Sequence, residues 1–202
     1  MKGLAVTEGL ESGKLSNSSI RRTAMKQLAA GLFAAALSLA PASAALKVGA
    51  AAPDFTAPAT LGGKEFTFAL SDALKKGPVV LYFYPAAFTK GCTIEAHEFA
   101  DAMPRFQELG VTVIGVSHDN IATLDKFSTT ECKSKFPVAA DADQRIMTSY
   151  DAVLSAHPEY ANRTSYVISP DGRILAEYTD LDPTRHVDNM MAAITTWKAG
   201  QK

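Results

Sequence analysis

One cysteine, Cys92, lies where the sequence pattern changes from strand to helix. The run Val79-Val80-Leu81-Tyr82-Phe83-Tyr84 is apolar throughout and of strand length, the pattern of a strand buried on both faces. The loop Pro85-Ala86-Ala87-Phe88-Thr89-Lys90 follows, and from Gly91 to Leu109 the residues Ile94, Phe99, Met103 and Phe106 recur near helical spacing. Cys92 therefore falls in the first turn of a helix, just past the end of a central strand. A thiol there feels the field of the helix N-terminus and lies within reach of unpaired backbone N–H groups. Both effects favour thiolate, the form that acts as nucleophile. Taken alone, a free cysteine reads more readily as a small buried hydrophobe. The strand–loop–helix setting is what points to chemistry.

The elements that must hold Cys92 in place are legible around it. Ala45 to Pro58 reads as extended chain, Gly62-Gly63 as a turn, and Glu65–Phe68 as a short strand. Ser71 is the expected cap of a short helix through Lys76, ended by Gly77-Pro78. Pro104 should kink or divide the Cys92 helix, and Gly110 should end it. Val111–Val116 reads as a second buried strand, and Asn120–Lys133 as a helix with Asp119 or Asn120 as cap. Phe136–Ala139 follows as a short strand and Ala142–Val153 as a helix. Thr164–Ile168 and Ile174–Tyr178 are strands joined through the turn Pro170-Asp171-Gly172, and a last helix runs from Pro183 or Thr184 to about Trp197. Strands and helices alternate first, and a hairpin plus a helix follow. The expected class is α/β, with a central mixed sheet flanked by helices.

Charge and composition narrow the setting. The chain has 202 residues and a formal charge of −1, unevenly spread. Residues 1–44 hold five basic side chains (Lys2, Lys14, Arg21, Arg22, Lys26) and two acidic ones (Glu8, Glu11). The mildly acidic remainder argues against nucleic acid as a partner. Arg21, Arg22 and Lys26 precede the apolar stretch Leu28–Ala40, and Ala42-Ser43-Ala44 has the Ala-x-Ala form of a cleavage site. Residues 1–44 therefore read as a signal peptide removed after Ala44, and residues 45–202 as the mature domain. The apolar stretch is short of the ~20 residues a membrane span needs, so no stable membrane association is expected after cleavage. Arg21-Arg22 weakly resembles a twin-arginine signal, while Met25-Lys26 would also begin a short Sec-type signal. Either route leads to an exported protein, in a bacterium to the periplasm. Two cysteines remain, Cys92 and Cys132, enough for one disulfide but too few to staple a scaffold.

Pro85, Thr89 and Cys92 match the Pro-x-x-x-Thr-x-x-Cys motif of the peroxiredoxins. Gly91-Cys92-Thr93-Ile94-Glu95-Ala96 resembles the bacterioferritin-comigratory (PrxQ) branch of that family, and the resemblance runs from about Lys47 to about Ile194. It implies a thioredoxin-like fold and a thiol-dependent peroxidase acting on hydrogen peroxide and organic hydroperoxides. Cys92 would attack the O–O bond. Thr89 would place its hydroxyl beside the sulfur, and Pro85 would shape the loop and shield the intermediate. Arg163, just before Thr164–Ile168, stands where the family carries its active-site arginine. Its guanidinium would serve both the thiolate and the charge on the departing oxygen; without the resemblance it would read as a solvated strand-end arginine. Glu95, on the same helix face as Cys92, would orient Arg163 or simply complement the helix dipole.

Many PrxQ members resolve the resulting sulfenic acid with a cysteine five residues downstream. This chain has His97 there, which leaves Cys132 as the candidate resolving thiol through an intramolecular disulfide. The alternatives are a one-cysteine mechanism with an external thiol and a thioredoxin-like thiol–disulfide oxidoreductase. The latter normally needs Cys-x-x-Cys, whereas Thr89-Lys90-Gly91-Cys92 begins with threonine. A copper carrier on the same fold would need further soft ligands near Cys92. The four histidines, His97, His118, His157 and His186, are too scattered for zinc, and no dinucleotide or phosphate fingerprint is present. No cofactor or metal is expected. The implied partners are a peroxide and a thioredoxin-like or small-thiol reductant, for a monomer or dimer.

Overall fold

The computed structural model describes Ala45–Gln201. The segment read as a signal peptide lies outside the described residues. Seven strands form one sheet: β1 (Thr56–Leu61), β2 (Lys64–Ala69), β3 (Val79–Phe83), β4 (Thr112–Ser117), β5 (Val138–Ala140), β6 (Thr164–Ile168) and β7 (Ile174–Thr179), in the order β2-β1-β5-β4-β3-β6-β7. β3, β4 and β5 pair in parallel, and every other pairing is antiparallel. This is the mixed sheet the alternation of elements implies. β3 is central and buried at every residue, as its unbroken apolar run requires.

The helices divide between the two faces. Those of α2 (Lys90–Glu108), α3 (Ile121–Thr130) and α5 (His186–Ala199) cover one, where Phe99, Phe106, Leu124, Phe127, Met190 and Ile194 meet Val80, Tyr82 and Val113. Helices α1 (Leu70–Leu74) and α4 (Arg145–Ser149) cover the other, where Leu70, Ile146 and Met147 meet Leu81, Phe83 and Ile114. The period of two along β3 thus feeds alternate side chains to two cores. Tyr82 stacks on Phe99 at 4.3 Å between ring centroids, and its ring lies over Gly115 of β4. A Cβ at Gly115 would come within 2.7 Å of that ring, so the glycine is what lets Tyr82 lie flat across the neighbouring strand.

Several expectations are corrected. The extended N-terminal stretch continues into a full strand, β1, which pairs with β2 along its length and with β5 at Ala59 and Thr60. Its residues, Thr-Ala-Pro-Ala-Thr-Leu, have weak strand preference, and partners on both sides supply what propensity does not. Ser71 does not cap α1; Ala69 holds the cap position without a side-chain bond. Pro104 does not divide α2, which runs unbroken with Pro104 on its exposed face. The helix expected over Ala142–Val153 shrinks to α4. Gln144 and Asp151 both take left-handed backbone (φ 61° and 51°), which stops it at each end. The buried Asp141 carboxylate accepts from the Ile146 and Met147 amides at 3.0 and 2.8 Å, holding the short helix in place. The final helix is preceded by a 3₁₀ turn, Pro183–Arg185.

Candidate active site

β3 ends at Phe83, and its chain leads through Pro85–Thr89 into α2. Three anchors from the end of β4 fix that loop. Tyr84 N–H donates to Val116 O at 3.1 Å. Ala87 N–H donates to Asp119 Oδ2 at 2.8 Å, and His118 Nδ1 donates to Pro85 O at 3.1 Å. Asp119 also accepts from the Ser117 hydroxyl at 2.7 Å, so it braces the loop, while Asn120 alone caps α3 through Thr123 N–H. Phe88 adopts left-handed backbone (φ 64°), an uncommon state for a bulky side chain, and its exposed ring packs edge-on against Phe127 at 5.3 Å. Thr89 is the N-cap residue of α2. Its hydroxyl donates to Ala86 O at 3.0 Å, and its carbonyl takes the Thr93 amide. The amides of Lys90, Gly91 and Cys92 are thereby the orphan donors of the first turn.

Cys92 is buried at 2 % exposure. Arg163, the residue before β6, donates from Nη2 to Cys92 Sγ at 3.5 Å and from Nη1 to Glu95 Oε2. Its Nε donates to Leu181 O at 3.0 Å. The fork is thus fixed by three elements: helix α2, strand β6 and the connection after β7. Burial would lower the Arg163 pKa, but Glu95 and Cys92 outweigh burial and raise it, so the cation persists. A Cβ on Gly91 would lie 2.9 Å from Nη2, so the absence of a side chain there is what admits the guanidinium to the sulfur. Burial pushes the Glu95 pKa up to about 8, in spite of Arg163.

Behind Glu95 lies His186, the first residue of α5 and fully buried. Its Nε2 donates to Asp180 O at 2.9 Å, and its Nδ1 meets Ser165 Oγ at 2.8 Å and Glu95 Oε1 at 3.6 Å. The sequence brings no attention to His186, because its partners lie on β6, α2 and the loop after β7. The fold therefore brings Cys92, Glu95 and Arg163 into direct contact and adds His186. Pro85 and Thr89 shape the loop beside them.

Cys132 lies elsewhere in the same core, in the turn after α3, fully buried and not bonded to Cys92. Burial pushes its thiol pKa far up. A hydrogen bond and an ion pair flank it: His97 Nε2 with Glu131 Oε2 at 2.9 Å, and Lys133 Nζ with Asp101 Oδ1 at 2.7 Å. Position 97 thus tethers α2 to the segment that carries Cys132. Among the described residues, no cluster of His, Cys, Asp or Glu could hold a metal ion.

A mixed thioredoxin-type sheet with a buried cysteine at a helix N-terminus, held against an arginine–glutamate pair, defines a thiol enzyme. The AhpC/TSA family model matches residues 48–177. The chain is 29% identical over 122 residues to Peroxiredoxin Bcp of Xanthomonas campestris, a match covering 57% of this chain and 75% of the relative. It is 33% identical to the putative peroxiredoxin YkuU of Bacillus subtilis, covering 77% of this chain and 96% of that one. The crystal structure of peroxidoxin BcpB from Mycobacterium tuberculosis superposes with a TM-score of 0.68 at 30% identity, over 75% of this chain and 97% of that one. The chain belongs to the AhpC/TSA family and is a peroxiredoxin of the Bcp/PrxQ type. It is a thiol-dependent peroxidase.

Proposed function

We propose that Cys92 is the residue that reduces peroxide and that Cys132 resolves the product. The observation that carries this is the Arg163 Nη2 contact to Cys92 Sγ at 3.5 Å inside a buried site. A permanent cation beside a cysteine at a helix N-terminus favours thiolate and then faces the negative charge of the departing oxygen. The thiolate attacks one peroxide oxygen, the O–O bond breaks, and the hydroxide or alkoxide leaves with a proton as water or alcohol. Cys92 becomes a sulfenic acid. The Cys132 thiol condenses with it, water departs, and a disulfide remains for a thioredoxin-like or small-thiol reductant to reopen. Hydrogen peroxide and organic hydroperoxides are the substrates of this reading.

Cys92→Ser is expected to abolish peroxide consumption in a coupled assay. Activity at the parental level in that variant overturns the role of Cys92. Cys132→Ser is expected to remove the Cys92–Cys132 peptide from mass spectra of peroxide-treated protein. If the parental protein yields no such peptide, clearance of the sulfenic acid passes to an external thiol. The N-terminal segment supports export to a bacterial periplasm after cleavage at Ala44. A mature N-terminus at Ala45 in a periplasmic extract is the expected result.

A further inference from the structure

Two hydroxyls in the core that holds both cysteines have no hydrogen-bond partner, those of Tyr82 and Tyr84. Both side chains are buried. A buried hydroxyl left unpaired costs stability, and phenylalanine would place the same ring without it. Tyr84 has the Ser117 hydroxyl beside it, though not bonded to it, so Tyr82 is the more isolated of the two. The tip of Tyr82 is aimed toward the segment that carries Cys132. Tyr82 stands on β3, the strand that leads into the Cys92 loop, and its ring crosses β4 over Gly115, where a Cβ would lie 2.8 Å from the hydroxyl oxygen. Phe136, four residues after Cys132, meets the ring edge-on at 6.0 Å. Tyr84 stacks on Tyr82 at 5.5 Å and on Phe127 at 5.5 Å, and the Phe127 carbonyl accepts from the Cys132 amide at 3.0 Å. We propose that the Tyr82 hydroxyl is the hydrogen-bond donor that receives the Cys132 thiolate as it attacks the sulfenic acid of Cys92.

The chemistry of the resolving step asks for such a donor. Only the thiolate attacks, and an anion formed in an apolar core is disfavoured unless a hydrogen bond meets it. Burial, with Glu131 adding to it, holds the Cys132 thiol in its protonated form. The ionisable groups facing the Tyr82 hydroxyl are Cys132 foremost, then Tyr84, Glu95 and Cys92. All are neutral or anionic, so none supplies a cation to Cys132 and the phenol O–H is the donor at hand. Burial also keeps that phenol protonated, so it donates and does not ionise. In the reduced protein the two groups are not bonded, and movement of the Cys132 segment toward Cys92 brings the sulfur to the ring tip. The thiol then gives up its proton, and the thiolate electron pair forms the S–S bond as the S–O bond of the sulfenic acid breaks. Hydroxide departs and takes that proton as water. Cys132 sulfur is oxidised, Cys92 sulfur is reduced, and Tyr82 keeps its own proton throughout.

The inference rests on Cys132 being the resolving residue, and its test separates the two. A stoichiometric pulse of hydrogen peroxide, rapid quenching and mass spectrometry give the rate of Cys92–Cys132 disulfide formation as a function of pH. Tyr82→Phe keeps the ring, its stacking and its approach to Gly115, and removes only the hydroxyl. Disulfide formation in that variant is expected to slow about ten- to a hundredfold, the scale of one hydrogen bond to a charged group. Its pH profile is expected to move up by about one to two units, since the rate falls about tenfold for each unit. The thermal midpoint is expected to hold or rise, because an unpaired buried hydroxyl has gone. Tyr84→Phe, with Ser117 beside the lost hydroxyl, is expected to move the profile less. Superimposed profiles for the parental protein and Tyr82→Phe overturn the inference, whatever happens to stability. Equal shifts in the two variants also overturn it, as a general change in the core. A parental protein that forms no Cys92–Cys132 disulfide overturns the underlying reading instead.

Discussion

At the residue scale the site turns on how closely Arg163 approaches Cys92. Gly91 leaves that approach open, and the guanidinium cannot retreat, because Glu95 and Leu181 O hold its other nitrogens. Gly91→Ala is expected to lower kcat/KM for peroxide about tenfold by displacing Nη2. Alanine favours a helix over glycine by about 0.8–1 kcal/mol in a helix interior, but here its Cβ presses on a guanidinium held by two other bonds, so the thermal midpoint is expected to fall along with activity. Arg163→Lys keeps the charge but loses the fork, and activity is expected to fall about 10²-fold, the scale of one lost transition-state donor. Cys92 and Glu95 were legible in the sequence, the first from the strand–helix junction and the second because residues three apart on a helix share a face. Arg163 was legible only through the family pattern. His118, Asp119 and His186 were not, since each acts through a hydrogen bond to a residue 33, 32 or 21 positions away, and spacing alone carries no trace of such a bond.

At the element scale the turn after α3 decides whether Cys132 can act. Its thiol and that of Cys92 are buried in one core and not bonded, so a disulfide requires the two segments to move toward each other. The turn is suited to opening. Lys133 and Ser134 are consecutive non-glycine residues in left-handed backbone (φ 51° and 54°), a conformation that persists only where surrounding contacts enforce it. The enforcing contacts include the pairs His97–Glu131 and Lys133–Asp101, which bind positions i and i+4 of α2 to the two neighbours of Cys132. Both pairs are partly exposed, so each holds the turn only modestly. Glu131→Gln is expected to speed formation of the Cys92–Cys132 disulfide after a peroxide pulse by about two- to fivefold, with the rate of peroxide consumption by Cys92 unchanged. Rapid quenching and mass spectrometry report the first, and stopped-flow the second. An unchanged disulfide rate would mean that the His97–Glu131 contact does not hold the turn closed. The strand–helix alternation, read from apolar runs, located β3, β4, β6 and α2 well. It missed β1 and overextended α4 because pairing partners and left-handed residues, not local preference, set those bounds.

At the scale of the whole molecule, the buried cluster ties folding to pH. Unfolding returns Glu95 to water, where its ordinary pKa is 4.5, from a folded site where burial holds it up to about 8. The folded chain therefore keeps a proton that the unfolded chain has already lost, and stability falls as pH rises through that interval. His186 opposes this only below its ordinary 6.5, because burial lowers its pKa and the unfolded chain then binds the extra proton. Asp141, also raised by burial, starts from 3.8, and backbone amides of α4 pull it back toward the ionised form. Between about 6.5 and about 8 the Glu95 contribution thus runs without opposition from His186. Thermal denaturation across this window is expected to show a falling midpoint in the parental protein. Glu95→Gln, which keeps an acceptor for Arg163 but cannot ionise, is expected to flatten that slope. A slope of the same steepness in the variant would assign the proton to another group. A flattened one would mean that the carboxylate that orients Arg163 also makes the fold progressively less stable as the medium turns alkaline.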